Sequence, residues 1–299
     1  MTTVRVAVPR KGRPLEAVLE RIATRTGTTA LADDITSTLR FEKAVTKDDQ
    51  QAESGVYERL AEYSDTTDST APEYTLLRDD RDGMPRRVVF DSVTIPTDDV
   101  DVQLVGREEP FRALRTHEFA LGFDSADLVL EEVVQLRGDP LRSLAEVNER
   151  IDPMDTDVRV HTGLGDTVYH TLLATPAVAP TGDTPIDREF VTGYSGPLCI
   201  SPRYERLVEA VLGTDTLDGV SFVYPEEGVT EEAAVAEAGL GVYLTVTGST
   251  AREHGLVVGE SLFPSETVLL ENTAESDAAA DTVASLFAEA SEETALPPS

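Results

Sequence analysis

A short apolar strand, a polar turn and an amphipathic helix open this chain, and the same plan returns near residue 198. Val4, Val6 and Val8 alternate with Arg5 and Ala7 and stop at Pro9, the pattern of a strand with a marked end. Pro14 suits a first helical turn, and Leu15, Val18, Leu19 and Ile22 then share one helical face. Leu198–Ile200, the turn Ser201-Pro202-Arg203 and the stripe Tyr204, Leu207, Val208, Val211 and Leu212 repeat that order. Further strands are expected at Val88–Phe90, Val100–Val105, Val168–Ala174, Val220–Tyr224 and Leu240–Val246. Helices are expected from Phe111, across Leu141–Ile151 and over Thr230–Ala238, the last opened by a threonine cap. Strands alternating with helices predict α/β layers with mainly parallel pairing and ligands at the carboxyl ends of strands. Residues 44–86, with polar runs at Lys47–Gln51 and Ser64–Thr70, read as a partly mobile surface insertion. Beyond Asn272 a polar tail over 274–299 carries at most one helix, with Val283, Leu286 and Phe287.

Composition narrows the setting. The 299 residues hold 25 Lys+Arg against 56 Asp+Glu, a formal charge of −31, yet 40% are hydrophobic, enough for a buried core. Lysine occurs only at Lys11, Lys43 and Lys47. Such charge is tolerable where salt screens it, over about 3 Å at 1 M, and points to a halophilic source. It argues against nucleic-acid and anionic-membrane partners, which need clustered cations. No apolar run reaches the roughly 20 residues of a membrane span and no leader-like segment follows Met1, so a cytoplasmic protein is expected. The single cysteine, Cys199, lies between Leu198 and Ile200 and reads as a small buried hydrophobe rather than a nucleophile.

Two turns carry the chemistry. Arg10-Lys11-Gly12-Arg13 joins the first strand to a helix N-terminus, either an anion-binding corner or an ordinary turn with solvated charges. Thr247-Gly248-Ser249-Thr250 follows an apolar strand and offers hydroxyls and backbone N–H groups to a phosphate; a plain turn is the competing reading. It lacks the lysine of a nucleotide-hydrolysing P-loop. His117, His161, His170 and His254 share no metal-ligand spacing, so no metal site is assigned, and no nucleophile–base order marks a hydrolase.

Taken together, Val4–Arg13, Ala120–Asp127, Gly163–Gly165, Leu172–Pro176, Ile200–Tyr204 and Thr247–Leu256 resemble the ATP phosphoribosyltransferases, which open histidine biosynthesis by joining ATP to phosphoribosyl pyrophosphate. The resemblance runs in order over 4–35 and 88–273. It implies an α/β protein of two lobes of the type II periplasmic-binding-protein kind, the first formed by 1–168 plus 257–273 and the second by 169–256. It implies that Lys11, Gly12 and Arg13 from one lobe and Thr247, Gly248, Ser249 and Thr250 from the other bind phosphates in one cleft, with Mg²⁺ on the diphosphate. The sequence ends where long-form members continue into a regulatory domain. A homo-oligomer or a separate regulatory chain is therefore implied.

Departures from the family matter as well. Aspartates that hold the ribose hydroxyls in the family align with Gly239 and Tyr243, which implies reduced or altered activity, with no catalytic residue assigned. Glu226, Glu227, Glu231 and Glu232 are alternative carboxylates, or simply solvated surface. A non-catalytic paralogue that binds a nucleotide or phosphosugar as a sensor or regulatory subunit is the alternative function.

Overall fold

In the computed structural model, which describes residues 2–77, 87–165, 168–182, 184–226 and 228–288, Val4, Val6 and Val8 are buried and Arg5 is exposed along the strand Thr3–Pro9 (β1). Helices Arg13–Thr26 (α1), Thr29–Thr46 (α2) and Val56–Tyr63 (α3) follow, then strands Glu73–Leu77 (β2), Arg87–Pro96 (β3) and Asp101–Arg107 (β4). Helix Pro110–Arg115 (α4), strand Leu121–Ser125 (β5), helix Ala126–Glu132 (α5) and strands Val158–Gly163 (β6) and Val168–Ala174 (β7) come next. Helix Arg188–Thr192 (α6) leads to strand Gly196–Cys199 (β8), helix Glu205–Leu212 (α7), strand Val220–Val223 (β9) and helix Glu231–Ala238 (α8). Strand Leu240–Thr245 (β10), helix Ser249–Glu253 (α9), strands Val257–Ser265 (β11) and Thr267–Asn272 (β12), and helix Ala278–Ala288 (α10) complete the order.

Two units result. Met1–Asp124, Asp157–Leu164 and the residues from Thr267 through α10 form the first; Ser125–Thr156 and Gly165–Glu266 form the second. The first holds a seven-stranded sheet ordered β2-β3-β4-β1-β5-β12-β6, the second a five-stranded sheet ordered β11-β7-β10-β8-β9. In each, the strand of the strand–turn–helix motif lies between two parallel neighbours: β1 between β4 and β5, and β8 between β9 and β10. The class is α/β, with one sheet in each unit. Pairing is mixed rather than mainly parallel, because β2–β3, β3–β4, β12–β6, β10–β7 and β11–β7 are antiparallel.

The unit boundaries differ from those expected. β11 joins the second sheet by pairing with β7, and Ser125–Thr156 packs with α7, where Leu207 N donates to Glu131 and Leu141 N donates to the Ala210 carbonyl. The stripe Leu141–Ile151 forms two short 3-10 turns, Leu144–Glu146 and Asn148–Arg150, instead of an α-helix. Leu141, Val147 and Ile151 are nonetheless buried, so the periodicity marked burial and not backbone shape. Residues 278–288 form the one helix expected in the polar C-terminal segment. In α10, Val283 and Phe287 are fully buried in the first unit's core with Val6, Leu15, Leu19 and Phe123.

The segment 44–86 is likewise more built than expected, although 78–86 lies outside the described residues. The end of α2, helix α3 and strand β2 pack Val56, Leu60, Tyr63 and Leu76 against the first core, and β2 pairs with β3. Tyr63 and Tyr74 meet edge-to-face at 5.8 Å between ring centres. Burial pushes both phenols up to about 12, with the hydrogen bond to Glu42 adding to the effect at Tyr63. Raised values mean that the folded state holds these protons more tightly. Their contribution is complete below the unfolded phenol's pKa of about 10 and is lost as pH climbs towards 12. Urea unfolding midpoints are therefore expected to fall between pH 9.5 and 11.5 (roughly the range set by those pKa values), and Tyr63→Phe should flatten that fall. An equal fall in the variant would remove Tyr63 from the effect.

Candidate functional site

The loop after β10 is fixed by one glycine. Gly248 has φ 67°, the left-handed region that favours glycine, and a Cβ there would lie 2.9 Å from Val258 Cγ2. Thr247 Oγ1 and Ser249 Oγ are hydrogen-bonded at 3.0 Å, and Ser249 N donates to Thr247 Oγ1 at 3.4 Å. Thr247, Ser249 and Thr250 are exposed, and with Gly248 they line a cavity of about 180 Å³ whose other walls include Leu173, Glu232, Tyr243 and Ala251. All these residues belong to the second unit. With five residues α9 has a small macrodipole, so the loop's capacity for an anion comes from its hydroxyls and N–H groups. Arg252 holds the loop from below, Nη1 donating to the Thr247 carbonyl at 2.9 Å. In the sequence the one signal for Arg252 is a cation one helical turn beyond Gly248.

Lys11, Gly12 and Arg13 lie in the first unit, at the start of α1. Gly12 has φ 83°, and its carbonyl accepts from Glu16 N at 3.2 Å to begin the helix. This helix has fourteen residues, so its N-terminus carries the full partial charge that favours anions. Lys11 Nζ lies 3.6 Å from Glu108 Oε2 and Arg10 Nη2 lies 3.6 Å from Asp91 Oδ1, so acids already face two of the turn's cations. These contacts are half-exposed and contribute little to stability.

Gly239 and Tyr243 are held by the fold. Gly239 ends α8 with φ 95°, and a Cβ there would lie 2.8 Å from Val178 Cγ2. Tyr243 is buried, its hydroxyl 3.6 Å from Cys199 Sγ, and burial raises the pKa of both groups. Cys199 is thus a buried thiol with its ionisation suppressed, as its apolar neighbours imply. Of the acids before the loop, Glu232 lines the cavity, Glu226 is exposed, and Glu227 lies outside the described residues. Glu231 does not line the cavity; burial pushes its carboxyl up, and the charge of Glu232 adds to that. His170 is fully buried against Asp127 at 3.1 Å, His117 faces Glu275 at 3.0 Å, His161 faces Glu271 at 3.5 Å, and His254 ends α9.

The model of the family described as halobacterial ATP phosphoribosyltransferase matches residues 1–298. The chain belongs to that family. No curated protein matches this chain. Among solved structures, an ATP phosphoribosyl transferase (HisG:HisZ) complex from Thermotoga maritima is similar at 14% identity over 94% of each chain, with a TM-score of 0.42. YhfZ from Shigella flexneri is similar at 10% identity over 96% of this chain and 84% of that one, with a TM-score of 0.44. The regulatory domain of MetR, a LysR family regulator from N. meningitidis, is similar at 11% identity over 95% and 92%, with a TM-score of 0.32. Likenesses this distant transfer no residue roles. Among the described residues no helix is long and apolar enough to cross a membrane.

Proposed function

We propose that this member of the ATP phosphoribosyltransferase family condenses ATP with phosphoribosyl pyrophosphate in a salt-rich cytoplasm, with Thr247, Gly248, Ser249 and Thr250 holding the diphosphate. The observation that carries the assignment is the cavity that these four residues line, with Gly248 in the left-handed turn that shapes the loop. Lys11, Gly12 and Arg13 are the proposed second phosphate contact, supported by a fourteen-residue helix starting behind them. Phosphoribosyl transfer builds positive charge on the ribose as pyrophosphate departs. The chain's part is to orient the sugar, hold the phosphates and keep water out. Tyr243, Leu173 and Ala251 give the cavity its apolar side, where excluding water strengthens every polar contact.

Mg²⁺ is the proposed companion of the diphosphate and would neutralise its charge when bound. Among the described residues no group of three or more His, Cys, Asp or Glu side chains is placed to hold a metal. Mg²⁺ is commonly held chiefly by substrate phosphates and water. For assembly, a homo-oligomer or a separate regulatory chain is proposed; the Thermotoga maritima protein is itself described as a HisG:HisZ complex.

Pyrophosphate release from ATP and phosphoribosyl pyrophosphate, assayed in high salt, tests the reaction. Thr247→Ala with Ser249→Ala is expected to weaken phosphoribosyl-pyrophosphate binding by about 1–3 kcal/mol through lost hydrogen bonds. Unchanged binding in this double variant would remove the loop from the site. Turnover that needs an added regulatory chain would decide the assembly in favour of a separate partner.

A further inference from the structure

Among the described residues β2 and β6 form the edges of the first unit's sheet, and β11 and β9 those of the second. An open edge invites pairing with another chain, and charges, prolines and bulges are what prevent it. Three of these edges carry such devices. β6 holds Arg159 and shifts register beside His161, β11 holds Glu260, Pro264 and two register shifts, and β2 begins with Glu73. β9 has none of them. Its register with β8 is unbroken, and residues 219–224 carry no charge in a chain of which 27% is charged.

The open side of β9 has a definite pattern. Gly196 N donates to the Gly219 carbonyl at 3.1 Å and Ile200 N to the Val223 carbonyl at 3.0 Å. Backbone groups alternate in direction along a strand, so the N–H and carbonyl of Val220, Phe222 and Tyr224 point away from β8. Ser221 is exposed, Tyr224 is 45% exposed, and Val220 and Phe222 are half-buried. We propose that β9 pairs antiparallel with β9 of a second copy of this chain about a twofold axis at Phe222, joining two five-stranded sheets into one. In that register Phe222 faces its own counterpart and Val220 faces Tyr224, so every outward N–H meets an outward carbonyl. The match is with itself and needs no other sequence, which selects a second copy as the occupant. The side chains of the same three residues share one face and form aromatic and β-branched cross-strand pairs. Charge agrees with this choice: two chains of formal charge −31 meet at least cost where the surface is uncharged and salt screens the rest. Asp218 and Glu226 face each other at the two ends of the joint, so the pairing belongs to high salt. The contact is independent of the reaction assigned to Thr247–Thr250.

Sedimentation equilibrium of the full chain in high salt is expected to show a monomer–dimer equilibrium. Amide exchange followed by NMR at rising protein concentration is expected to slow at Val220, Phe222 and Tyr224, while Ser221 and Val223, which already face β8, keep their rates. Ser221→Glu sets a like charge into the joint and is expected to weaken association about tenfold or more. Met154→Glu adds the same charge at an exposed position elsewhere in the second unit and is expected to leave association unchanged. Val220→Pro removes one outward N–H at the first residue of an edge strand, where proline is tolerated, and is expected to weaken association too. Far-UV circular dichroism checks that each variant folds; if one does not, the exchange pattern of the unaltered chain decides by itself. The proposal is overturned by a protein that stays monomeric at every concentration, by a dimer whose exchange at Val220, Phe222 and Tyr224 ignores concentration, or by equal effects of the two glutamates. A monomer that releases pyrophosphate from ATP and phosphoribosyl pyrophosphate would remove the interface alone and leave the transferase reading standing.

Discussion

Arg59→Leu is expected to lower folding stability by about 3–5 kcal/mol, the range for stranding one member of a buried ion pair. Glu42 is 1% exposed and Arg59 7%. Arg59 Nε and Nη2 donate to the two Glu42 carboxylate oxygens at 2.6 and 2.9 Å, its Nη1 donates to the Ser54 carbonyl at 2.6 Å, and the Tyr63 hydroxyl donates to Glu42 at 3.0 Å. Leucine at position 59 leaves the carboxylate with one phenol and no cation in a site closed to water. Joining Glu42→Leu to Arg59→Leu removes the stranded charge and is expected to restore most of the loss. High salt should not rescue the single variant, since ions do not penetrate a buried pair. Urea titrations in 1 M and 3 M KCl (about 3 Å of screening or less) measure this. A loss below about 1 kcal/mol, typical of exposed pairs, would show that α3 is not anchored through Arg59.

Phe287→Ala is the second large effect, with an expected loss of about 3–5 kcal/mol for a large aromatic removed from a packed core. Phe287 is fully buried, and its ring lies 4.7 Å from that of Phe123 at 65° between planes. Arg21 ties the same region down, with Nη2 donating to the Leu164 carbonyl at 2.9 Å and Nη1 to the Phe287 carbonyl at 3.4 Å. Leu286, only partly buried, should cost much less when changed to alanine. Thermal or urea unfolding of the two variants separates these outcomes. Equal, small losses would mean that α10 rests on the surface and stabilises nothing.

What was legible in the sequence was local. β1 and β8 showed themselves through short apolar runs closed by proline or a polar turn, and α8 through Thr230, whose hydroxyl accepts from Ala233 N. The loop Thr247–Thr250 was readable because glycine between hydroxyl residues has a specific backbone use, and Gly248 makes that use. What was hidden depends on partners far along the chain. The pairing of β11 with β7 spans most of the second unit, and helix α3 looks merely polar until Arg59 meets Glu42 across seventeen positions. Arg252 and Glu232 stand in the same category. Their proximity to the loop comes from the packing of α9 and α8, and nothing in an acidic sequence separates one glutamate from its neighbours.

Gly239 bears on the route by which such a site can change. Its backbone, at φ 95°, makes any other residue there cost on the order of 1–3 kcal/mol, and the first carbon of a side chain would meet Val178. An aspartate is not readily accommodated at that position by one substitution. Val178 would have to be trimmed and the end of α8 reshaped beforehand, and both changes are costs with no immediate return. The departure is therefore a ratchet: the order in which mutations arrive decides which are open. At this position the first accessible step is therefore a change at Val178, not at the glycine itself.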